Sequence, residues 1–271
     1  MTLQAVPVVL VHGWRSHPGI WNRLVPSLQQ EGIPFWNFDH AAMAGSSVEE
    51  IAVCLQDFIT RMREEYRYPG QIDLVCHSMG TCIARYLLEV IDGNSRNEPV
   101  RQLIGIGPPN NGSALAELFN HPEIGPAIIE RLSGIFVPRD FDPAADRIVQ
   151  EFRPGSSTMD TLRKAGLRQD VFYRIICAGN RTGTPQFFPS FNGMTYELKE
   201  DGGWRMTCAG DGIVPHSDSV LSGAEFTILP ADPAALMTCR DQYCHIRLPR
   251  NPEVIGRIIY SLKNPSGSRV L

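Results

Sequence analysis

Apolar runs of strand length recur along the chain, each followed within a few residues by apolar positions at helical spacing. Val6-Pro-Val-Val-Leu-Val11 comes first and does not alternate, as expected of a strand buried on both faces. Trp21, Leu24, Val25 and Leu28 then predict a short helix closed at Gly32, and Pro34-Phe-Trp-Asn-Phe38 a second strand. Ser47-x-x-Glu50 is a capping-box pattern. It opens a helix whose Val48, Ile51, Ala52, Leu55, Phe58, Ile59 and Met62 share one face. A third strand, Ile72 to Cys76, stops abruptly at His77-Ser78-Met79-Gly80, and Met79, Ile83, Leu87 and Val90 resume at once with helical period. Further strands are predicted at Pro99 to Ile106, Val171 to Ala178 and Ala224 to Leu229, with a small hairpin from Met194 to Thr207 around Asp201-Gly-Gly203. Asn251-Pro-Glu253 starts a closing helix, a cap followed by Pro at the first position, with Val254, Ile255, Ile258, Ile259 and Leu262 facing inward. Strands alternating with helices imply an α/β fold, a doubly wound and mostly parallel sheet flanked by helices. In such sheets ligands bind beyond the carboxyl ends of the strands.

One segment breaks the rhythm. From Ala114 to Asp170 the chain reads as short helices punctuated by Pro122, Pro126, Pro138, Pro143 and Pro154. Its Leu115, Leu118, Phe119, Ile124, Ile128, Ile129, Leu132, Ile135 and Phe136 exceed what a connecting loop needs. It is either a helical insertion packed on the sheet or an apolar wall over a site, with Phe187, Phe188 and Trp204 as core residues or as its opposite side. The expected organisation is one domain over residues 1–271 with a helical cap or lid at about 114–170.

Composition narrows the class. The 271 residues suffice to bury about three-quarters of the unfolded surface in one large α/β domain. A formal net charge of −4, with no basic run longer than two residues, argues against nucleic acid as a partner. No stretch approaches the roughly 20 apolar residues of a membrane span, which leaves room only for transient contact with a lipid interface. No basic region precedes an apolar one at the N-terminus, so the expected location is cytoplasmic, with export of a longer precursor left open. Of seven cysteines, Cys54, Cys76, Cys82 and Cys177 sit in apolar runs and are expected in the core. Cys208, Cys239 and Cys244 lie in loop-like surroundings, as reduced thiols or, in an exported protein, with two of them bridged.

Ser78 stands where a strand turns straight into a helix, the setting of a nucleophile elbow. The turn pushes its apex residue outward and aims the first free N–H groups of the helix at whatever approaches it. The plainer reading is a surface Ser capping an ordinary βα turn. A serine hydroxyl becomes nucleophilic only when an imidazole takes its proton, and that imidazole needs a buried carboxylate to fix its tautomer. Of seven histidines, His77 reads as a packing residue and His12 as one that orders its loop, while His17, His40, His121 and His216 read as exposed. His245, after the last strand, is the candidate base. Asp211, between two glycines in Ala209-Gly-Asp-Gly-Ile-Val-Pro215, is the candidate acid, with Asp218 and Asp241 as competitors. The chain order Ser, Asp, His is that of α/β-hydrolases. Met79 N–H and Trp14 N–H are the candidate oxyanion donors, each worth about 10²–10³ in rate. This chemistry calls for no metal or organic cofactor.

Together these stretches resemble the α/β-hydrolase superfamily, and within it the bacterial lipase and esterase group, over nearly the whole chain. The matches are Val9-Leu-Val-His-Gly-Trp14, Cys76-His-Ser-Met-Gly80, Gly107-Pro-Pro-Asn-Asn-Gly-Ser113, Arg153-Pro-Gly-Ser156, Gly210-Asp-Gly-Ile-Val-Pro215, and His245 with its Leu248-Pro249 and Asn251-Pro-Glu-Val254. The resemblance implies Ser78 as nucleophile, Asp211 as acid, His245 as base, and Trp14 with Met79 as oxyanion donors, acting on small-molecule or lipid esters. Cys76 departs from the usual Gly or Ala, and Trp14 from the smaller residue often found at its position. The same machinery would serve an acyltransferase or a thioesterase. A non-catalytic ligand-binding member of the fold is a further alternative. So is a zinc site drawn from Cys208, Cys239, Cys244 and His245. Oligomeric state is not legible.

Overall fold

The computed structural model describes residues 5–265. Its strands, in chain order, are β1 (Val8–Val11), β2 (Phe35–Phe38), β3 (Ile72–His77), β4 (Val100–Ile106), β5 (Phe172–Ala178), β6 (Thr195–Leu198), β7 (Trp204–Thr207) and β8 (Glu225–Leu229). Six of them form one sheet in the order β2-β1-β3-β4-β5-β8, parallel throughout, and β6 and β7 form the separate antiparallel hairpin. Val11 lies level with Cys76, and His77 with Ile106, so the carboxyl ends of β1, β3 and β4 finish along one rim. The expected strand bounds hold to within two residues.

The helices are α1 (Leu24–Gln30), α2 (Val48–Glu65), α3 (Met79–Arg85), α4 (Ala114–Phe119), α5 (Gly125–Leu132), α6 (Arg147–Glu151), α7 (Ser157–Ala165), α8 (His216–Ser219), α9 (Ala235–Thr238) and α10 (Pro252–Lys263). The capping box at the start of α2 forms as the sequence predicts: Ser47 Oγ accepts from Glu50 N–H, and the Glu50 carboxylate from Ser47 N–H at 2.7 Å. The helix after the elbow runs past Val90, but from Tyr86 to Asp92 it widens into a π-helical turn. The short α8 and α9 carry no periodic signal in the sequence.

Val8, Val9, Leu10 and Val11 have no solvent exposure, nor do Leu74 and Val75 on β3 or Leu103 and Ile104 on β4. Each such side chain contributes roughly 1.5–3 kcal/mol on burial. Early in β3 stands a charged residue, Asp73, which is buried but accepts from Arg101 Nε at 2.9 Å and Gln102 Nε2 at 2.9 Å. A buried carboxylate is tolerable only with such partners. Between β4 and β5 the chain leaves the sheet for α4 to α7; α4 and α6 come beside Ser78 at the carboxyl-end rim, and α7 packs on the π-helical turn Tyr86–Asp92.

Cys76, Cys82 and Cys177 are in the core as expected, while Cys54 is only half-buried. Cys244, expected in a loop-like setting, is buried beside His245, whose N–H is tied to the Asp211 carbonyl.

Candidate active site

Ser78 sits between β3 and α3 with φ 54° and ψ −131°, a region that non-glycine residues rarely occupy. Surrounding contacts enforce it. Ser78 N–H donates to the Ile106 carbonyl at 2.8 Å, and its own carbonyl accepts from Thr81 N–H at 3.0 Å. A Cβ on Gly80 would lie 2.4 Å from the His12 carbonyl oxygen, so the turn packs directly on the end of β1. Cys76 is accommodated without exposure. The position beside it on β4 is Gly105, where a Cβ would come within 2.7 Å of Thr81 Cγ2. Here the small residue that lets α3 approach lies on the adjacent strand.

His245 Nε2 lies 3.0 Å from Ser78 Oγ, and His245 Nδ1 lies 2.7 Å from Asp211 Oδ2. A carboxylate only accepts, so Nδ1 carries the proton and Nε2 faces the hydroxyl as an acceptor. Asp211 Oδ1 is taken by the N–H groups of Ile213 at 3.1 Å and Val214 at 2.7 Å, which leaves Oδ2 for the imidazole. The backbones are tied as well, since His245 N–H donates to the Asp211 carbonyl at 2.8 Å. Gly107, with φ +56°, passes so close that a Cβ would sit 2.7 Å from Asp211 Oδ2. Both His245 and Asp211 are buried.

The competing acids are engaged elsewhere. Asp218 Oδ2 accepts from Ala114 N–H at 2.7 Å, and burial pushes its carboxyl up to about 7. Asp241 pairs with Arg247 at 3.2 Å. Cys208, Cys239 and Cys244 do not assemble with His245: among the described residues no three His, Cys, Asp or Glu side chains are grouped to hold a metal ion.

Trp14 follows β1, and Gly13 brings its loop against the elbow, where a Cβ on Gly13 would meet Ser78 Cβ at 3.0 Å. Among the described residues neither Trp14 N–H nor Met79 N–H donates to a group of the protein. Beside Ser78 lies an apolar cavity of about 50 Å³, walled by Trp14, Met79, Leu115, Phe119, Phe136, Ile148, Phe152 and Val214 among others. Phe136 stands edge-on to the His245 ring, with centroids 6.1 Å apart. Wider clefts exist, about 760 Å³ between the end of α4 and the β6–β7 hairpin and about 820 Å³ between α1 and α10, but neither touches Ser78. Trp204 lines the first of these, and Phe187 and Phe188 are core residues, Phe188 packing on Gly212. None of the three lines the cavity at Ser78.

Among the histidines expected to be exposed, His216 is half-buried, with Nε2–H donating to the Ala178 carbonyl at 2.8 Å, and His40 departs further. His40 is buried: its ring stacks on His12 with centroids 3.8 Å apart, its Nε2–H donates to the His12 carbonyl at 3.0 Å, and its backbone N–H donates to His12 Nε2 at 3.2 Å. Desolvation, then the neighbouring His12, lowers its pKa to about 4. His77 packs as expected, yet it also donates from Nε2–H to the His245 carbonyl at 3.1 Å, and burial holds its pKa well below the usual histidine value. Both are buried where their sequence neighbours are polar or small, so periodicity gives no sign of them.

A sequence model described as the alpha/beta hydrolase fold matches residues 6–127, which hold β1, the elbow and the start of the segment over the rim. The chain thus has the α/β-hydrolase fold, with its parallel sheet and flanking helices, and the matching model spans a little under half of its length. Among solved structures it is similar to the mature Bacillus licheniformis lipase BlEst2, at 17% identity and a TM-score of 0.68, covering 96% of this chain and 93% of that one. It is also similar to Aspergillus fumigatus lipase B (15%, TM-score 0.62, 96% and 52% covered) and to the Paleococcus ferrophilus monoacylglycerol lipase (16%, TM-score 0.54, 96% and 95% covered). Identities this low establish a common fold. No curated protein matches the sequence. Among the described residues no helix is long and apolar enough to cross a membrane.

Proposed function

We propose that this chain is a serine carboxylic-ester hydrolase of the lipase and esterase kind, acting on esters with an apolar acyl group. The observation that carries this reading is the unbroken line Asp211–His245–Ser78, at 2.7 and 3.0 Å, ending at a strained elbow beside an apolar cavity.

In this mechanism Ser78 Oγ attacks the ester carbonyl as its proton passes to His245 Nε2. The Asp211 carboxylate stabilises the imidazolium that results. Charge moves onto the carbonyl oxygen, which Trp14 N–H and Met79 N–H receive; neither donates to a group of the protein among the described residues, and both residues line the cavity at Ser78. The imidazolium then protonates the departing alkoxide, leaving an acyl group on Ser78. Water enters, gives a proton to His245 and attacks the acyl carbon; the acid leaves, and Ser78 recovers its proton. The helices between β4 and β5 act as a cap that supplies the cavity walls.

Ser78→Ala tests the reading. Hydrolysis of p-nitrophenyl butyrate and labelling by a fluorophosphonate are both expected to vanish while circular dichroism is unchanged. Turnover equal to that of the unaltered chain would exclude it. Adding short alcohols and analysing products separates hydrolysis from acyl transfer.

A further inference from the structure

The loop that presents Trp14 N–H is gripped from the cap. Asp146, at the start of α6, has a side chain only 2% exposed. Its Oδ2 accepts from Trp14 Nε1 at 3.3 Å, Arg15 Nε at 3.2 Å and Arg15 Nη2 at 2.9 Å. Its Oδ1 accepts from Val149 N–H at 3.1 Å and caps α6. The Arg15 guanidinium in turn lies over the rings of Trp14, at 5.3 Å, and Phe141, at 5.7 Å.

Arg15 has φ +46°, a left-handed conformation that persists in a non-glycine residue only where the surroundings over-determine it. Those surroundings are Asp146 on one side and the elbow under Gly13 on the other. The Gly13–Trp14 peptide, which carries Trp14 N–H, is thus held at both ends: by Gly13 against Ser78 Cβ and by the Trp14 indole, which Asp146 anchors.

We infer that Asp146 is a positioning residue for the oxyanion hole: its carboxylate, reached from the cap, holds the Trp14–Arg15 loop in register with Ser78. This rests on the reading of the site given above. It makes the docked cap part of the catalytic arrangement and not a cover that must lift away before reaction. A helix cap alone would also explain Asp146 Oδ1, and Asn caps as well as Asp. What Asn cannot supply is the anion opposite Arg15, because its Nδ2 would face the guanidinium donor to donor.

The experiment compares D146N, R15Q and a control, R147Q, which removes only the surface pairs to Glu50 and Glu151. R15Q keeps the proposal testable if D146N folds poorly. Active sites are counted by fluorophosphonate titration. Each protein is then assayed on p-nitrophenyl butyrate and with butyl trifluoromethyl ketone, whose adduct on Ser78 places an oxyanion in the hole. Per active site, D146N is expected to lower kcat and raise the ketone Ki by about 10–100-fold while KM changes less than about 3-fold, the size expected for a misplaced oxyanion donor. R15Q should move both in the same direction, and R147Q neither. A lower Tm with kcat and Ki per site unchanged, or a rise in KM alone, would overturn the inference. If the unaltered chain hydrolyses no ester, the functional reading fails, and the positioning claim is read from amide hydrogen exchange. Residues 12–16 must then exchange faster in D146N than in R147Q; equal rates would overturn it.

Discussion

Gly80 concentrates what the elbow demands of a single residue. A methyl group there would stand 2.4 Å from the His12 carbonyl oxygen and 2.7 Å from that of Val11, both main-chain atoms with nowhere to go. Gly80→Ala is therefore expected to destabilise by about 1–3 kcal/mol, the usual cost of overpacking. It should also lower kcat against p-nitrophenyl butyrate by shifting Ser78; a variant with unaltered Tm and kcat would contradict the packing described. At this scale much was legible. Ser78, His245 and Asp211 could be named because glycines, strand ends and chain order frame them, and the structure brings these three side chains together. Asp146 could not be named: in the sequence it is one acid among several in an irregular stretch, and its partners lie 131 and 132 positions away. His40 was misread for a related reason. A polar residue between Asp39 and Ala41 carries no mark of burial, and only the stacking on His12 accounts for it.

The carboxyl ends of β1 and β2 are joined by that histidine pair, and the join responds to pH. His40 titrates at about 4 in the folded chain, against about 6.5 when unfolded. As pH falls below 6.5 the unfolded chain binds a proton that the folded chain refuses, so this contribution to stability is present above 6.5 and lost progressively toward 4. The gap corresponds to about 3 kcal/mol. Asp218 works in the opposite sense: raised to about 7, it favours the folded state as pH falls from 7 toward 4. The difference between two chains isolates the histidine. His40→Gln keeps an N–H donor for the His12 carbonyl and should flatten the pH dependence of urea unfolding between pH 7 and 4.5 by most of that amount; parallel curves would refute the assignment. Elements were legible where hydrophobic period was sustained, as along α2 and the sheet strands. They were not where a few residues close a turn for tertiary reasons, as in α8 and α9.

Viewed entire, the molecule places a very small apolar space beside its nucleophile. Its 50 Å³ is a third of the ~150 Å³ that admits a benzene ring. On the function proposed above, short acyl groups fit this space and long ones require its walls to yield. On p-nitrophenyl esters kcat/KM should fall at least about tenfold from four to twelve carbons, since displacing packed walls costs about 1–3 kcal/mol and about 1.4 kcal/mol is tenfold. Phe136→Ala, which removes a ring between Trp14 and His245, should reduce that fall. A profile rising with chain length in the unaltered chain would mean that the docked cap is not the working form.

The two bonds between the loops bearing Asp211 and His245 differ in kind, and only one depends on the carboxylate. The other is main chain to main chain, so Asp211→Asn leaves it in place. Such a protein should melt near its parent's temperature yet turn over about 10⁴-fold more slowly, as when an imidazole is held in the wrong tautomer. Shape and reactivity can thus be uncoupled by exchanging one oxygen for an amide nitrogen.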